Sequence, residues 1–460
     1  MTSKEQKGSA CTLVCMVTSA AIGGTLQYGY NLSIMNAPTT FIQNFVNETF
    51  QERWGKQLGV YEVTLIWTFI VSIFSLGGLT GALLAGPLSV RFGRKKSLLL
   101  NNIFLFSSSL LALLSRRAKS FEMIIISRFL VGINAGVSMN VQPMYFGESA
   151  PKHLRGAVSL SSAVFTSFGL VLGQVVSLRE LLGSESCWQY LLASNAIPGL
   201  IQLVTLPWFP ESPRYLLIDC KDKDACLIAL QRLRGCAVRR EELDEMLQEQ
   251  NETEADVGRG AWQLLTDRGV RWQLICVAFL SCAMQLCGND SIYFYASYVF
   301  QEAGISPDQI QYVTIGTGMC EFTACFMCNV LIERLGRKMM LMGGYVLMTG
   351  WAVVFTVALS LESVVSWMPY LSMTCIFTYI LSFGMGPAGN GLGQFCFVPF
   401  GAVCLTTAVF IHLVVPETKG KTLQMITKDF YKLNYRGHTK MDPEIQSEYQ
   451  PGEALHSTSL

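Results

Sequence analysis

The chain has 460 residues, of which 51% are hydrophobic and only 15% charged, and its formal net charge is +1. Soluble domains carry about 25% charged residues, so this composition argues against a soluble enzyme. The near-neutral charge also argues against a basic nucleic-acid-binding surface. The fifteen cysteines lie in apolar runs and lack the cysteine and histidine spacing of a zinc site. The composition therefore predicts an all-α protein that crosses a membrane many times.

Eleven apolar stretches are each long enough to cross a bilayer as a helix. They cover residues 12–35, 62–84, 97–115, 122–143, 157–178, 189–209, 272–295, 311–333, 339–361, 365–389 and 393–415. A polar interval separates the first six from the last five. The pattern predicts an N-terminal six-helix bundle (1–209), a cytoplasmic linker with short helices (210–271), a C-terminal helical bundle (272–415) and a tail (416–460).

Lysine and arginine placement predicts the orientation, because loops rich in these residues stay in the cytoplasm. Basic clusters follow the second and eighth spans, at 91–96 and 334–338, and the interval 210–271 carries ten more basic residues. All three lie on one side if the N-terminus is cytoplasmic, although the basic residues at 116–119 then lie outside. This orientation places Asn47, within an Asn-Glu-Thr sequon, in an external loop as a candidate glycosylation site.

The two halves of the chain repeat short motifs. RFGRKK at 91–96 recurs as RLGRKM at 334–339, and PESPR at 210–214 recurs as PETKG at 416–420. From the start of the first motif to the start of the second is 119 residues in the first half and 82 in the second. The second half is therefore 37 residues shorter, about one span and its loop. Parallel repeats around a linker are a transporter architecture, and here one helix of the second half is missing.

An odd number of spans leaves the side of the C-terminal tail open. Eleven crossings place the tail opposite a cytoplasmic N-terminus, yet the tail carries six lysines and arginines from Lys419 onward. Such residues favour the cytoplasm. Either the tail is external, or one segment, such as 365–389, does not cross completely.

Polar side chains within the spans predict a binding site, because such groups are costly at bilayer depth. In the seventh span, Gln285, Asn289 and Tyr293 recur every four residues and share one helical face beside Asp290. Their amide, phenol and carboxylate groups suit a ligand with many hydroxyls; hydrogen bonding between helices is the alternative. The candidate substrate-binding residues are Gln27, Tyr28, Asn31, Gln174, Gln285, Asn289, Asp290, Tyr293 and Glu321.

A second set of candidates comprises charged residues at helix ends on the side of the basic clusters. Complementary charges there are expected to latch the two halves together and to part as the halves rock; orientation and solvation alone are the alternative. The set is Arg94, Glu148, Arg155, Glu211, Arg214, Glu333, Arg337 and Glu417. The histidines lack partners at ligand spacing, and the glycine-rich stretches lack a phosphate-loop context. The sequence therefore predicts no catalytic residues, no metal, no cofactor and no ATP-driven motor.

Five segments resemble the sugar porters of the major facilitator superfamily, specifically the facilitative glucose and fructose transporters. They are LQYGYN at 26–31, RFGRKK at 91–96, PMYFGESAPKHLRG at 143–156, PESPRYLL at 210–217 and PETKGKT at 416–422. The resemblance implies a fold of two six-helix halves, the second incomplete. It also implies passive transport of hexose, glucose or fructose, across the plasma membrane by alternating access. MQLCGND at 284–290, where the family has QQLSGIN, and GPAG in place of GPGP are similar to the fructose-type subclass.

The same resemblance bears on mechanism. Proton-coupled sugar porters typically carry an aspartate where this chain has Asn31, and an asparagine cannot titrate, so uniport is expected. Asp290 and Glu321 keep proton-coupled symport as an alternative, since buried carboxylates can have raised pKa values.

The chain departs from the family after GMGPAG at 384–389. The family continues there through the rest of its tenth helix, a loop with gate residues and an eleventh helix. This chain passes instead to GLGQFCFVPF at 391–400, which is similar to the start of the twelfth helix. A transport-inactive or partner-modulating shortened form is therefore a further alternative. The expected partners are a small hexose and the lipid bilayer, with no nucleic acid, and homo- or hetero-oligomers stay open.

Overall fold

The computed structural model describes residues 3–151, 154–234, 271–287, 304–360, 367–384 and 397–415, and isolated positions at 243, 246, 247, 300 and 301. Within these ranges the regular structure is helical. The helices of the first half and linker are α1 (Ser3–Ile22), α2 (Thr25–Ser33), α3 (Thr39–Trp54), α4 (Val60–Phe92), α5 (Arg94–Ser115), α6 (Glu122–Ser149), α7 (Arg155–Val176), α8 (Trp188–Ala193), α9 (Ala196–Thr205) and α10 (Lys223–Arg234). Those of the second half are α11 (Arg271–Leu286), α12 (Pro307–Leu335), α13 (Arg337–Ser360), α14 (Met368–Gly384) and α15 (Phe397–Val414).

Among the described residues, six helical stretches are long and apolar enough to cross a membrane. They are Cys11–Ser33, Val60–Phe92, Arg94–Ser115, Glu122–Ser149, Trp188–Trp208 and Lys338–Ala358. Shorter apolar helices cover 161–176, 271–284, 370–382 and 403–412. Each of these stretches coincides with a span predicted from the sequence, and α12 coincides with the eighth.

The first predicted span consists of two helices, because the pair Gly23-Gly24 separates α1 from α2. A Cβ at Gly24 would overlap Oε1 of Gln142 on α6. Gln142 Oε1 accepts a hydrogen bond from Thr25 N at 2.8 Å, and its Nε2 donates to Thr25 Oγ1 at 2.9 Å. Gly24 therefore admits the buried Gln142 amide, which satisfies a free N–H at the start of α2.

The packing of the two halves identifies the missing helix. In the first half α4 and α5 pack along α6, α8 and α9 pack on α5, and α2 packs along α7. In the second half α12 and α13 pack along α14, and α15 packs along α13. Thus α12, α13, α14 and α15 correspond to the second, third, fourth and sixth spans of the first half. Among the described residues, no helix of the second half corresponds to α7, the fifth span.

Helix α12 runs antiparallel to α7. Near the start of α12, the Tyr312 hydroxyl donates to Glu180 Oε1, just beyond the end of α7, at 2.8 Å. Further along, the rings of Phe322 and Phe168 lie 5.8 Å apart. The end of α12 therefore lies on the side of the membrane where α7 begins, close in sequence to the end of α6.

The direction of α15 shows on which side of the membrane this last described helix ends. Lys338, at the start of α13, donates to the carbonyl oxygen of His412, near the end of α15, at 2.9 Å. Hence α15 is antiparallel to α13 and ends on the side of the basic cluster 91–96. Seven residues separate α13 from α14 and extend at most about 25 Å, less than the roughly 36 Å length of α13. Therefore α14 is also antiparallel to α13, and the consecutive helices α14 and α15 run in the same direction.

We expect tags at the two ends of the chain to be accessible from the same side of the membrane. Leu13 on α1 and Leu233 on α10 belong to one buried cluster, and Arg234 donates to Ser149 O at 2.9 Å. These contacts place the start of α1 on the side where α6 ends, which is also the side where α15 ends. Antibody labelling of intact and permeabilised cells measures this.

The control for this experiment is a tag inserted at Gly55, in the exposed loop between α3 and α4 on the opposite side. Labelling of this loop and only one chain end in intact cells contradicts the parallel arrangement of α14 and α15.

Candidate functional site

A cavity of about 430 Å³ lies between the two halves and is named here the inter-half cavity. It is bounded by the ends of α2, α4, α6, α7 and α12 that lie opposite the basic cluster. Its polar lining is supplied by Ser33, Asn36, Ser75, Arg128, Gln174, Gln311 and Thr314, among others. Trp67 and Phe74 add aromatic surface. Such a mixture of aromatic walls and a few polar groups is typical of a small-molecule site.

Gln174 is a predicted substrate-binding residue, and the structure places it on the wall of this cavity. It lies on α7 and is 8% exposed, and its Oε1 has no hydrogen-bond partner. A Cβ at Gly318 on α12 would overlap that oxygen, so the glycine admits the glutamine at the contact between the halves. A buried carbonyl without a donor is costly, and a ligand hydroxyl would satisfy it.

Arg128 is a cavity residue that the sequence analysis missed. It lies on α6 and is 4% exposed, with its guanidinium 4.7 Å from the Phe74 ring. Nη1 and Nη2 are both 3.5 Å from the carbonyl oxygen of Asn31, and Nε has no partner. The signal was present, because an arginine within the apolar run 122–143 meets the criterion that selected Glu321.

The candidates on α2 pack against the helices of their own half. Gln27 Nε2 donates to Asn195 O at 2.7 Å, and the side-chain amides of Asn31 and Asn195 exchange two hydrogen bonds of 3.0 and 2.9 Å. Gln27 and Asn31 are each 1% exposed and do not line the inter-half cavity. Tyr28 lies with its ring 6.1 Å from that of Phe74. In this structure the two amides join helices, and a sugar-binding role for these residues stays a prediction.

The remaining substrate candidates lie further along the second half. Glu321 is half-buried on α12, seven residues beyond Thr314 and thus about 10 Å further along the helix axis. It lies one turn before Cys325, which interacts with Ser167 of α7. Gln285 lies on α11, but its side chain is outside the described part of the chain, as are residues 288–299, which include Asn289, Asp290 and Tyr293.

The predicted charged cluster contains the pair Arg94 and Glu148. Arg94 Nε lies 2.9 Å from Glu148 Oε2, and the two side chains are 11% and 15% exposed. Arg94 Nη1 also lies 2.6 Å from Asp219 Oδ2, a residue that the sequence analysis did not select. The guanidinium stacks 4.9 Å from the ring of Tyr215. This cluster joins α5, α6 and the linker, so its contacts lie outside the second half.

Glu211 acts as a helix cap in this structure. Its Oε1 accepts hydrogen bonds from Lys95 N at 2.8 Å and Ser212 N at 3.0 Å, and its Oε2 accepts one from Lys96 N at 3.4 Å. A carboxylate beside the N-terminus of α5 interacts favourably with the positive end of the helix dipole. Gly93 has a φ of +87°, and a Cβ there would lie 2.7 Å from Glu211 Oε2, so a glycine is required at this turn.

The other gating candidates leave the predicted latch between the halves untested. Arg214 is half-buried just before the π-helical turn Tyr215–Asp219. Arg155, Glu333 and Arg337 lie on α7, α12 and α13, but their side chains are outside the described part of the chain, and Glu417 lies beyond residue 415.

Asn47 lies on α3, on the same side as the inter-half cavity. It is half-buried, and its Oδ1 accepts a hydrogen bond from Leu58 N at 3.0 Å. Thr49, the third residue of the sequon, is 3% exposed. Glycosylation of Asn47 stays a prediction.

Comparison with solved structures defines the class of fold. The chain is similar to the proton:xylose symporter XylE of the major facilitator superfamily, bound to 6-bromo-6-deoxy-D-glucose. The TM-score is 0.79 at 21% identity, covering 92% of this chain and 100% of that one. The fold is therefore that of the major facilitator superfamily.

The sequence comparisons identify the family. The model of the sugar (and other) transporter family matches residues 16–391, so the chain belongs to that family. It is 51% identical to human solute carrier family 2, facilitated glucose transporter member 11, across 92% of this chain and 94% of the relative. It is 38% identical to member 5 from Bos taurus, across 98% of each chain.

The alignments also support the missing helix. The alignment with human member 11 extends over 464 positions, whereas 92% of this 460-residue chain is about 423 residues. About 41 positions of the alignment are therefore empty in this chain, close to the 37-residue deficit of the internal repeat. The family match ends at residue 391, within the segment where the sequence motifs place the deletion.

We expect Glu148→Gln to destabilise the protein by about 1.5–3 kcal/mol, the usual contribution of a hydrogen bond to a charged group. The substitution removes one of the two carboxylates that neutralise Arg94. The midpoint of thermal unfolding in detergent should fall by about 1.5–3 °C, because the unfolding entropy of a chain of this length is about 1 kcal/mol/K.

The matched control is Glu52→Gln, because Glu52 pairs with Lys119 at 2.7 Å and both side chains are more than half exposed. Exposed pairs contribute less than about 1 kcal/mol. Equal shifts for the two variants would contradict a structural role for the Arg94 cluster.

Proposed function

We propose that the chain carries a hexose, glucose or fructose, passively across the membrane by alternating access between its two halves. The observation that carries this proposal is the inter-half cavity, which presents Gln174 and a polar, aromatic lining at the contact of the halves. The named relatives are facilitated glucose transporters, and the fold is one whose halves rock around a central site.

The proposed orientation has a cytoplasmic N-terminus in the plasma membrane. Support comes from the basic cluster at 91–96, which lies on the side where α1 begins and where α15 ends. Loops rich in lysine and arginine remain in the cytoplasm. The inter-half cavity then faces the outside, where a hexose enters.

Uptake of labelled D-glucose and D-fructose into proteoliposomes tests the transport function. The purified chain should accelerate uptake of at least one of them above that of empty vesicles. The second candidate is a shortened form that does not transport and instead associates with full-length relatives, and it is favoured by the missing counterpart of α7. Thermal unfolding must first show that the purified protein is folded. Uptake at the rate of empty vesicles from such protein would reject transport in favour of that candidate.

We expect Gln174→Ala to lower the apparent affinity for hexose about fivefold, because one hydrogen bond to a ligand hydroxyl contributes about 1 kcal/mol. The measurement is concentration-dependent uptake at matched protein levels. Gln309→Ala, an exposed glutamine on the first turn of α12, is the control and should leave uptake unchanged. An unchanged affinity in Gln174→Ala would remove Gln174 from the proposed site.

We expect hexose uptake to be indifferent to an imposed proton gradient. Asn31, which occupies the position of the aspartate in proton-coupled relatives, cannot titrate, and its amide is held by Asn195. The experiment compares initial uptake rates with the vesicle interior alkaline and with no gradient. Faster uptake with an alkaline interior would favour proton-coupled symport through Asp290 or Glu321.

A further inference from the structure

Arg128 places an unneutralised positive charge on the wall of the inter-half cavity. It is 4% exposed, and none of the residues that line the cavity is acidic. Among the described residues it takes part in no ion pair. Its contacts are the Phe74 ring and the Asn31 carbonyl oxygen, the latter at 3.5 Å from both terminal nitrogens. A buried charge that is solvated this weakly is costly unless a counter-charge arrives.

Two buried polar atoms without partners belong to residues that line this cavity, and they indicate which group carries the counter-charge. Arg128 Nε–H is a donor without an acceptor, and Gln174 Oε1 is an acceptor without a donor. Both residues line the cavity and both are more than nine-tenths buried. A ligand that satisfies both atoms presents an anionic acceptor at one end and a hydroxyl donor at the other. A carboxylate on a polyhydroxylated ring meets this requirement.

The rest of the lining fits the ring of such a ligand. Ser75, Gln311 and Thr314 offer further hydrogen bonds, and Trp67 offers an aromatic face against which the C–H side of a sugar can pack. The volume of about 430 Å³ is within the usual range for small-molecule sites, about 300–1,000 Å³. A guanidinium binds a carboxylate through two parallel N–H donors, and Nε–H is free to supply one of them.

We propose that the inter-half cavity binds a sugar acid of the hexuronate class, with its carboxylate on Arg128 and a ring hydroxyl on Gln174. The proposal deepens the transport function and rests on it for its physiological consequence. The site itself is tested by binding alone. An anionic sugar then competes with neutral hexose for the cavity.

The test is binding of D-glucuronate, D-glucuronamide and D-glucose to the purified full chain, followed by tryptophan fluorescence. D-Glucuronamide matches glucuronate in shape and lacks its charge, so the comparison needs no variant. We expect glucuronate to bind at least tenfold more tightly than the amide. Equal affinities would overturn the proposal, and so would acetate or chloride competing as effectively as glucuronate, since the site would then bind anions without a sugar.

Variants locate the binding to Arg128. Arg128→Gln should abolish the preference for glucuronate over glucuronamide, and Arg128→Lys, which keeps the charge and loses the paired donors, should retain part of it. Arg117→Gln removes an exposed positive charge on the same side of the membrane and should leave the preference intact. A preference that survives in folded Arg128→Gln, or is lost in Arg117→Gln, would contradict the assignment. Trp67→Phe should remove the change in tryptophan fluorescence on binding, because Trp67 lines the cavity.

The outcomes separate this site from the transport function. Glucuronate binding without hexose uptake in proteoliposomes would reject transport and support the site. Hexose uptake that glucuronate does not inhibit, in a protein that shows no preference for glucuronate, would overturn the site and leave transport standing.

Discussion

The structure depends on the pairing of polar side chains within the apolar helices, where no water is available to replace a lost partner. In the first half, several of these pairs are formed by side-chain amides. Asn31 and Asn195 exchange hydrogen bonds between α2 and the start of α9, and Gln142 closes the break between α1 and α2. Because these groups are satisfied by the protein, the atoms that are left unsatisfied carry information. Arg128 Nε and Gln174 Oε1 belong to residues that line one cavity, and that coincidence supports the proposed site more strongly than the presence of polar residues in the spans does.

The direction of the last helix explains how the second half crosses the membrane with one span fewer. Alternating spans would send α15 the opposite way to α14, yet Lys338 holds the end of α15 beside the start of α13. In this arrangement α15 packs along α13, as the sixth span packs on the third in the first half. Side-chain packing therefore sets the position of the last helix, and α15 ends on the side of the basic cluster 91–96. The twelve residues between α14 and α15 have a contour length of about 40 Å, more than the length of α14.

Sequence patterns predicted the helices, the repeat and the deficit in the second half, because each depends on local hydrophobicity or on a short motif. The same motifs selected Arg94 and Glu148 for a latch between the halves, whereas the structure pairs them with each other within the first half. Asp219 was missed because a single turn of π-helix brings it to Arg94, and no motif marks that turn. Gln27 and Asn31 were predicted to bind substrate because an amide within a span indicates a polar partner. The sequence does not tell whether that partner is another helix or a substrate, since the answer depends on which face of α2 meets α9. Only the packed structure separates Gln174, which lines the cavity, from Gln27, which does not.

The internal repeat relates the contact between the halves to a second contact, for which the described residues supply no helix. Helix α12 is the counterpart of α4, and the missing helix is the counterpart of α7. The contact of α7 with α12 is therefore related by the repeat to a contact of the missing helix with α4. Rocking transporters close one end of the pathway as they open the other. In a complete transporter, the contact of α7 with α12 and the contact of the missing helix with α4 would therefore together hold the halves in place. In this chain the described contact, with Gln174 against Gly318, remains without its counterpart. The inter-half cavity lies at the contact of α7 with α12, so the residues of α6 and α7 that we propose to bind a ligand are present even though the described residues lack the helix for the second contact.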